Sequence, residues 1–159
     1  MTDDDDDASR VERIADLAVD LEVTVATAES LTSGTVAKTL GAGPNAADWF
    51  CGGVVAYQEP VKFDVLGVDE GPVVTEDCAR QMATGARDLL GADVAVSCTG
   101  VGGPDPSEGK PAGTVIVAVA SGEELVVREL SLDGSPEEVL DETASHCLAL
   151  LEEVLGEDG

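Results

Sequence analysis

Short apolar runs with β-strand character alternate along this 159-residue chain with segments that have the periodicity of amphipathic helices. The predicted strands cover residues 23–27, 54–57, 94–98, 114–120 and 124–132, and the main predicted helices cover residues 10–21, 30–41, 61–66, 75–90 and 135–155. A Ser121-Gly122 pair joins the last two strands as a hairpin. Helices that alternate with strands, together with one hairpin, predict a three-layer α/β/α sandwich with a mixed β-sheet.

A chain of this length is long enough to bury a substantial core, and it contains no segment with the composition of an interdomain linker. We therefore expect a single domain over residues 10–157. The aspartate-rich stretch that precedes it has almost no apolar surface to bury, so residues 1–9 are predicted to form a disordered acidic tail.

The chain is strongly acidic, with 33 Asp and Glu residues against 8 Lys and Arg residues and a formal net charge of -25. Binding to nucleic acid through a basic patch is excluded, because neutralising phosphates requires clustered Lys or Arg. We interpret the acidity as a solvated surface of the kind found in salt-adapted proteins, in preference to an acidic recognition face.

The sequence predicts a cytoplasmic protein that does not associate with a membrane. It has no apolar run of 18 residues and no signal peptide, and its four cysteines, predicted to be buried free thiols, lack C-x-x-C spacing. The single histidine, His146, has no second histidine to complete a zinc pair, so no metal site is predicted. The oligomeric state stays open, with a homo-oligomer among the options.

Polar residues follow three of the predicted strands at the points where those strands end. Ser30 and Thr32 follow the first strand, Tyr57 and Lys62 follow the second, and Thr99 follows the third together with a glycine-rich loop. Ligands of open α/β sheets bind beyond the carboxyl ends of the strands. We therefore expect these three loops to converge on one pocket.

Each of these residues also has a purely structural explanation. Ser30 is either the cap of the following helix or a nucleophile, and Lys62 is either a surface lysine or a base whose proton is lost on desolvation. The glycine loop is a turn or a phosphate-binding loop, but Lys110 is followed by Pro111, so it is not a Walker A loop. Lys110 itself either meets a ligand phosphate or lies on the rim.

Taken together, four segments resemble the CinA C-terminal domain family, the nicotinamide-nucleotide amidases. Thr27–Gly34 resembles T-A-E-S-C-T-G-G, and Gly52–Tyr57 with Lys62 resembles G-G-V-V-x-Y-x(4)-K. Thr99–Pro104 resembles T-G-I-A-G-P, and Lys110–Val115 resembles K-P-x-G-T-V. The four motifs occur in the family's order and cover nearly the whole chain.

The resemblance implies a stand-alone amidohydrolase that cleaves the linear amide of nicotinamide mononucleotide, a small-molecule nucleotide, to nicotinate mononucleotide and ammonia. It implies no metal and no organic cofactor. By resemblance Ser30 is the nucleophile, Lys62 its base and Tyr57 a residue that orients the proton. The implied substrate-binding positions, which include backbone N–H groups for the oxyanion, are Thr32, Ser33, Gly34, Thr99, Gly100, Gly102, Gly103 and Lys110.

The chain departs from the family pattern at the start of its last helix. The family's G-D-R-x-x-V-R is replaced by a segment in which Pro136 and Leu140 stand at the arginine positions. Either Lys110 or Lys38 replaces a lost phosphate contact, or the substrate differs. Two further hypotheses are a nucleotide-binding module without catalysis and a regulatory or scaffold protein in DNA repair, the latter by family association alone.

Overall fold

The computed structural model describes residues 3–158, with six helices and five strands in these residues. In chain order the elements are α1 (Asp3–Leu21), β1 (Val25–Glu29), α2 (Thr35–Gly41), α3 (Ala46–Trp49), β2 (Phe50–Val55), α4 (Glu59–Asp64), α5 (Glu76–Leu90), β3 (Val94–Gly100), β4 (Thr114–Ser121), β5 (Glu124–Ser131) and α6 (Pro136–Asp158). Within this range, no helix combines the length and the apolar character needed to cross a membrane.

The five strands form one mixed sheet in the order β2-β1-β3-β4-β5. Strand β1 pairs in parallel with both β2 and β3, whereas β3–β4 and β4–β5 are antiparallel pairs. The carboxyl ends of β2, β1 and β3 therefore lie side by side at one edge of the sheet. The predicted α/β sandwich with a mixed sheet is confirmed.

Helices cover both faces of the sheet and divide the core in two. On one face, α1, α2, α3 and α6 pack through residues such as Ile14, Leu40 and Leu148 against valines of β1, β3 and β4. On the other face, α4 and α5 pack against the small side chains of the same strands, with Met82 at the centre. The alanines on this second face allow α5 to lie close to the sheet.

The structure differs from the sequence-based expectations at the N-terminus. Helix α1 begins at Asp3, so residues 3–9 are helical where a disordered tail is expected; residues 1 and 2 lie outside the described range. The Ser145 hydroxyl donates to Asp7 (2.8 Å), which ties this part of α1 to α6.

The prediction that all four cysteines are buried free thiols is wrong for one of them. Three are buried free thiols, but Cys51 on the edge strand β2 is exposed. Strand β2 has a neighbour on one side only, and its alternate residues face solvent.

The single tryptophan anchors the short helix α3, which directly precedes β2. Trp49 is 1% exposed, and its indole N–H donates to the carbonyl oxygen of Pro44 (2.9 Å). Its ring packs at a tilt against Phe50, with 6.1 Å between the ring centroids. These contacts hold the connection between α2 and β2, and Trp49 belongs to the same core cluster as Val11 and Ile14 of α1.

Candidate active site

A cavity of about 210 Å³ lies at the carboxyl ends of β1, β2 and β3 and is bordered by the N-terminal turn of α6. Its described lining comprises Ser30, Leu31, Tyr57, Glu59, Lys62, Val73, Val74, Thr99, Gly100, Gly102, Gly103, Ser107, Pro136 and Leu140. The three strand-end loops singled out in the sequence therefore contribute to one cavity. Of the eleven candidate residues, seven line it: Ser30, Tyr57, Lys62, Thr99, Gly100, Gly102 and Gly103.

Lys62 is a buried lysine with a defined set of partners. It is 2% exposed, and its Nζ donates to the carbonyl oxygens of Ala56 (2.7 Å) and Tyr57 (3.1 Å) at the end of β2. Burial lowers the pKa of its ammonium from the ordinary value, although the nearby Cys78 and Glu59 act in the opposite direction. The fold thus favours an uncharged amine at the cavity, compared with a lysine in water.

Ser30 follows β1 directly but does not cap helix α2. A turn over residues 31–34 separates it from the helix, which begins at Thr35 with Gly34 (φ 101°) as its N-cap. Ser30 is 8% exposed and lines the cavity. The strand-to-helix transition is present as predicted, but the helix-cap explanation of this serine does not hold.

Glu29 occupies the position at the start of α2 that a capping side chain would take. This carboxylate is 1% exposed and accepts from Thr32 Oγ1 (2.6 Å) and from the N–H groups of Gly34 (3.2 Å), Val36 (2.9 Å) and Ala37 (2.9 Å). Charge-assisted bonds of this kind are stronger than neutral ones. Glu29 therefore holds the turn that presents Ser30, a role that the sequence analysis missed. The available signal in the sequence was an acidic residue shortly after the apolar run that predicts the first strand.

Thr32, Ser33 and Gly34 do not line the cavity, in contrast to the roles that the resemblance implies. The Thr32 side chain is buried, bonds to Glu29 and lies 3.2 Å from the Cys98 sulfur. The N–H of Ser33 donates to the Ser30 carbonyl oxygen, and that of Gly34 donates to Glu29. These three residues support the turn from outside the cavity, because N–H groups at the start of α2 donate to the buried Glu29 carboxylate.

Thr99 and Gly100 belong to β3 and do not follow it. The Thr99 hydroxyl donates to the Val73 carbonyl oxygen (2.8 Å), which joins β3 to the segment before α5. A Cβ at Gly100 would lie 2.6 Å from the Thr114 carbonyl oxygen, so the glycine allows β3 and β4 to approach. Gly102 and Gly103 continue the cavity wall beyond the strand.

Lys110 stabilises the wall from outside the cavity. Its Nζ donates to the Val74 carbonyl oxygen (2.6 Å), and the Glu108 carboxylate accepts from the N–H groups of Val73 and Val74 (2.8 Å each). Lys110 is not among the described lining residues. Its ammonium supports the Val73–Val74 segment, and this explains the residue without a ligand.

Tyr57 lies at the rim of the cavity, and Pro136 and Leu140 of α6 form its far wall. Tyr57 is 66% exposed at the rim. Pro136 and Leu140, which stand at the two arginine positions of the resembled motif, both line the cavity. The departure noted in the sequence therefore falls at the site itself.

A second cavity lies apart from this one, and the described residues contain no group of side chains placed to hold a metal ion. A larger, more open cavity of about 610 Å³ lies between α1 and α2 and includes Lys38, but it contains no residue of the strand-end loops. No group of three or more His, Cys, Asp or Glu side chains within the described residues is placed to hold a metal ion. The chemistry-bearing residues concentrate in the smaller cavity, as expected at strand carboxyl ends.

Comparisons with known proteins show the family and the fold to which the chain is similar. The family model of the CinA C-terminal domain matches residues 7–155. A protein of Geobacillus kaustophilus described as competence-damage inducible is 43% identical over 137 residues, which are 81% of this chain and 33% of the relative. A CinA-like protein of Frankia casuarinae is 42% identical over 123 residues, which are 74% of this chain and 28% of the relative. The chain thus spans about a third of the length of the curated relatives it matches.

Solved structures match over nearly the full chain. The crystal structure of a competence-damaged protein (CinA) superfamily protein from Escherichia coli superposes with a TM-score of 0.91 at 30% identity, covering 96% of this chain and 93% of that one. A competence/damage inducible protein, CihA, from Agrobacterium tumefaciens gives a TM-score of 0.86 at 30% identity, covering 98% and 97%.

Proposed function

Because the chain belongs to the CinA C-terminal domain family, we propose that it is a serine amidohydrolase that cleaves the carboxamide of nicotinamide mononucleotide to nicotinate mononucleotide and ammonia. The observation that carries the proposal is that Ser30 and the buried Lys62 line the same cavity, with Tyr57 at its rim. A serine needs an adjacent base to act as a nucleophile near neutral pH, and a desolvated lysine is such a base.

The hydrogen bonds of Lys62 support its role as the base. A neutral amine has two N–H donors and one lone pair, and the carbonyl oxygens of Ala56 and Tyr57 accept two hydrogens. The lone pair is then available to take the proton of Ser30 Oγ as that oxygen attacks the carboxamide carbon. The resulting ammonium returns the proton to the departing nitrogen, which leaves as ammonia. Water then hydrolyses the acyl-enzyme with Lys62 again as base.

The turn after Ser30 supports stabilisation of the tetrahedral oxyanion. The N–H groups of Ser33 and Gly34 are already used within the turn. The N–H group of Leu31, which lines the cavity, has no acceptor among the described residues. In this proposal it is an oxyanion donor, and losing one such donor typically costs about 100- to 1,000-fold in rate.

The test measures ammonia release from nicotinamide mononucleotide in molar KCl, where the charge of this acidic chain is screened. The wild type should hydrolyse the nucleotide, and Ser30→Ala should lower kcat by at least about 1,000-fold. Ser131→Ala, which removes an exposed hydroxyl on β5, is the matched control and should keep full activity. A folded wild type that binds the nucleotide without turnover would replace the proposal with a non-catalytic nucleotide-binding module.

A further inference from the structure

The charge around the cavity bears on whether this site accepts its substrate with or without a phosphate group. Lys62 is the only Lys or Arg among the described lining residues, and its Nζ is directed to two carbonyl oxygens. Glu59 adds a carboxylate to the same lining. A phosphate ester, which carries nearly two negative charges near neutral pH, therefore meets no side-chain cation that is free to bind it.

The other Lys and Arg residues are not among the described lining of the cavity. Arg10 and Arg13 pair with Glu152, Arg80 with Glu76 and Asp77, Arg87 with Asp88 and Arg128 with Glu153, while Lys110 bonds to the Val74 carbonyl oxygen. Lys38 is exposed in the larger cavity between α1 and α2. With 33 acidic residues in the chain, the surrounding field also opposes an anionic ligand.

The start of α6 does not supply the missing positive charge. Its first residue, Pro136, has no N–H, and the N–H of Glu138 donates to the Ser135 hydroxyl (3.2 Å). The Glu138 carboxylate in turn accepts from the Ser135 N–H (2.9 Å), which completes a capping box. Glu137 adds a second acid to the first turn, so the helix dipole is already compensated by the chain itself.

We infer that the site recognises the positively charged N-ribosyl nicotinamide group and not the 5′-phosphate, so that nicotinamide riboside is a substrate at least as good as the mononucleotide. This inference rests on the proposed amidase function. A quaternary pyridinium ring carries one positive charge, which the Glu59 carboxylate and the acidic surface attract. The phosphate adds repulsion without a compensating ion pair. Leu140 and Pro136 give the far wall an apolar surface in place of one that binds anions.

The experiment compares kcat/KM of the wild type for nicotinamide riboside and nicotinamide mononucleotide at low and at molar KCl, by ammonia release. The riboside should equal or exceed the mononucleotide at low salt, and screening should bring the two values together at molar salt. A salt-insensitive preference of tenfold or more for the mononucleotide would overturn the inference while leaving the proposed amidase function intact.

A variant pair tests the far wall directly. Leu140→Arg should raise the mononucleotide-to-riboside ratio of kcat/KM by roughly 10- to 100-fold, the worth of a charged hydrogen bond. Leu140→Met, which keeps a similar volume without charge, should leave the ratio unchanged. A folded Leu140→Arg protein with an unchanged ratio would show that α6 does not face the phosphate, against the inference; should that variant not fold, the wild-type comparison decides alone.

Calorimetry separates failure of the inference from failure of the proposed function. If the wild type hydrolyses neither compound, the amidase function falls, and titration with each compound then tests recognition by itself. Equal or tighter binding of the riboside supports the inference. Tighter binding of the mononucleotide, or no binding of the riboside, overturns it.

Discussion

The Nζ atom of Lys62 lies 2.7 Å from the carbonyl oxygen of Ala56, inside a fold that leaves the lysine only 2% exposed. Helix α4 carries the lysine, and the chain just beyond β2 carries the carbonyl, so the contact joins two neighbouring elements at the cavity. The amine is positioned by backbone atoms, and no carboxylate side chain makes a hydrogen bond to it in the described residues. A base held in this way keeps its orientation whether or not it carries a proton.

Replacing Lys62 by methionine should remove the proposed base while keeping most of the buried volume. We expect Lys62→Met to lower kcat by about 100- to 10,000-fold. The measurement is ammonia release from nicotinamide mononucleotide, together with circular dichroism to establish the fold. Lys38→Met, which removes an exposed lysine of the other cavity, is the matched control; equal losses in both variants would argue against Lys62 as the base.

The pH dependence of the rate should report the lowered pKa of Lys62. The base must be deprotonated to act, so kcat/KM should rise with pH to a plateau. The midpoint of this rise should lie below 10.5, the ordinary lysine value. The negative charge of Glu59 favours the ammonium, so Glu59→Gln should move the midpoint further down.

Asp64→Asn, an exposed change on the same helix, is the control for this profile and should leave the midpoint in place. An upward movement in Glu59→Gln would contradict the proposed coupling. A wild-type midpoint at or above 10.5 would contradict the lowered pKa of Lys62.

Changing Glu29 to glutamine should unsettle the turn that presents Ser30. The carboxylate accepts four hydrogen bonds, and an amide NH2 at the same place would face N–H donors with a donor of its own. We expect a loss of about 2–3 kcal/mol in the free energy of unfolding, or roughly 4–12 °C in Tm. Glu123→Gln on the exposed β4–β5 turn should change stability by less than about 0.5 kcal/mol. An unchanged free energy of unfolding in Glu29→Gln would mean that the turn is held by other contacts.

Two glycines of the β3 end offer a test of close packing. The Cβ of Gly100→Ala would lie 2.6 Å from the Thr114 carbonyl oxygen and 2.9 Å from Val115 Cα, and both are backbone atoms that cannot move alone. We expect a cost of about 1–3 kcal/mol, measured by denaturant unfolding. At Gly102 the nearest atom would be Leu31 Cβ at 3.8 Å, so Gly102→Ala should be tolerated. Similar stabilities for the two variants would contradict this packing.

The location of the candidate cavity could be predicted from the sequence, because parallel strands end at one edge of a sheet. Ser30, Tyr57 and Lys62 each follow a strand of that parallel set, and Thr99 lies at the end of its third member. The apolar runs of the sequence predict these strands, although the observed strand bounds differ from the predicted ones by a few residues. The convergence of polar residues therefore follows from topology alone.

The role of each residue within the turn was not predictable in the same way. Glu29 lies between the first predicted strand, residues 23–27, and the helix predicted from residue 30. Only the closure of residues 31–34 brings the N–H groups of α2 onto its carboxylate. Ser33 adopts a left-handed conformation (φ 51°), which local propensity does not predict for a serine. Lys110 likewise acquires its partner, the Val74 carbonyl oxygen, from a segment 36 positions away in the chain.

Trp49 gives this protein an intrinsic optical probe with a convenient placement. It is the only tryptophan of the chain, it is buried beside α1, and it lies outside the described lining of the Ser30 cavity. Its emission therefore reports on the packing of α3 with little direct quenching from a ligand in that cavity. Unfolding of the wild type and of every variant above can be followed by fluorescence in the presence of an absorbing pyridine compound without introducing a label.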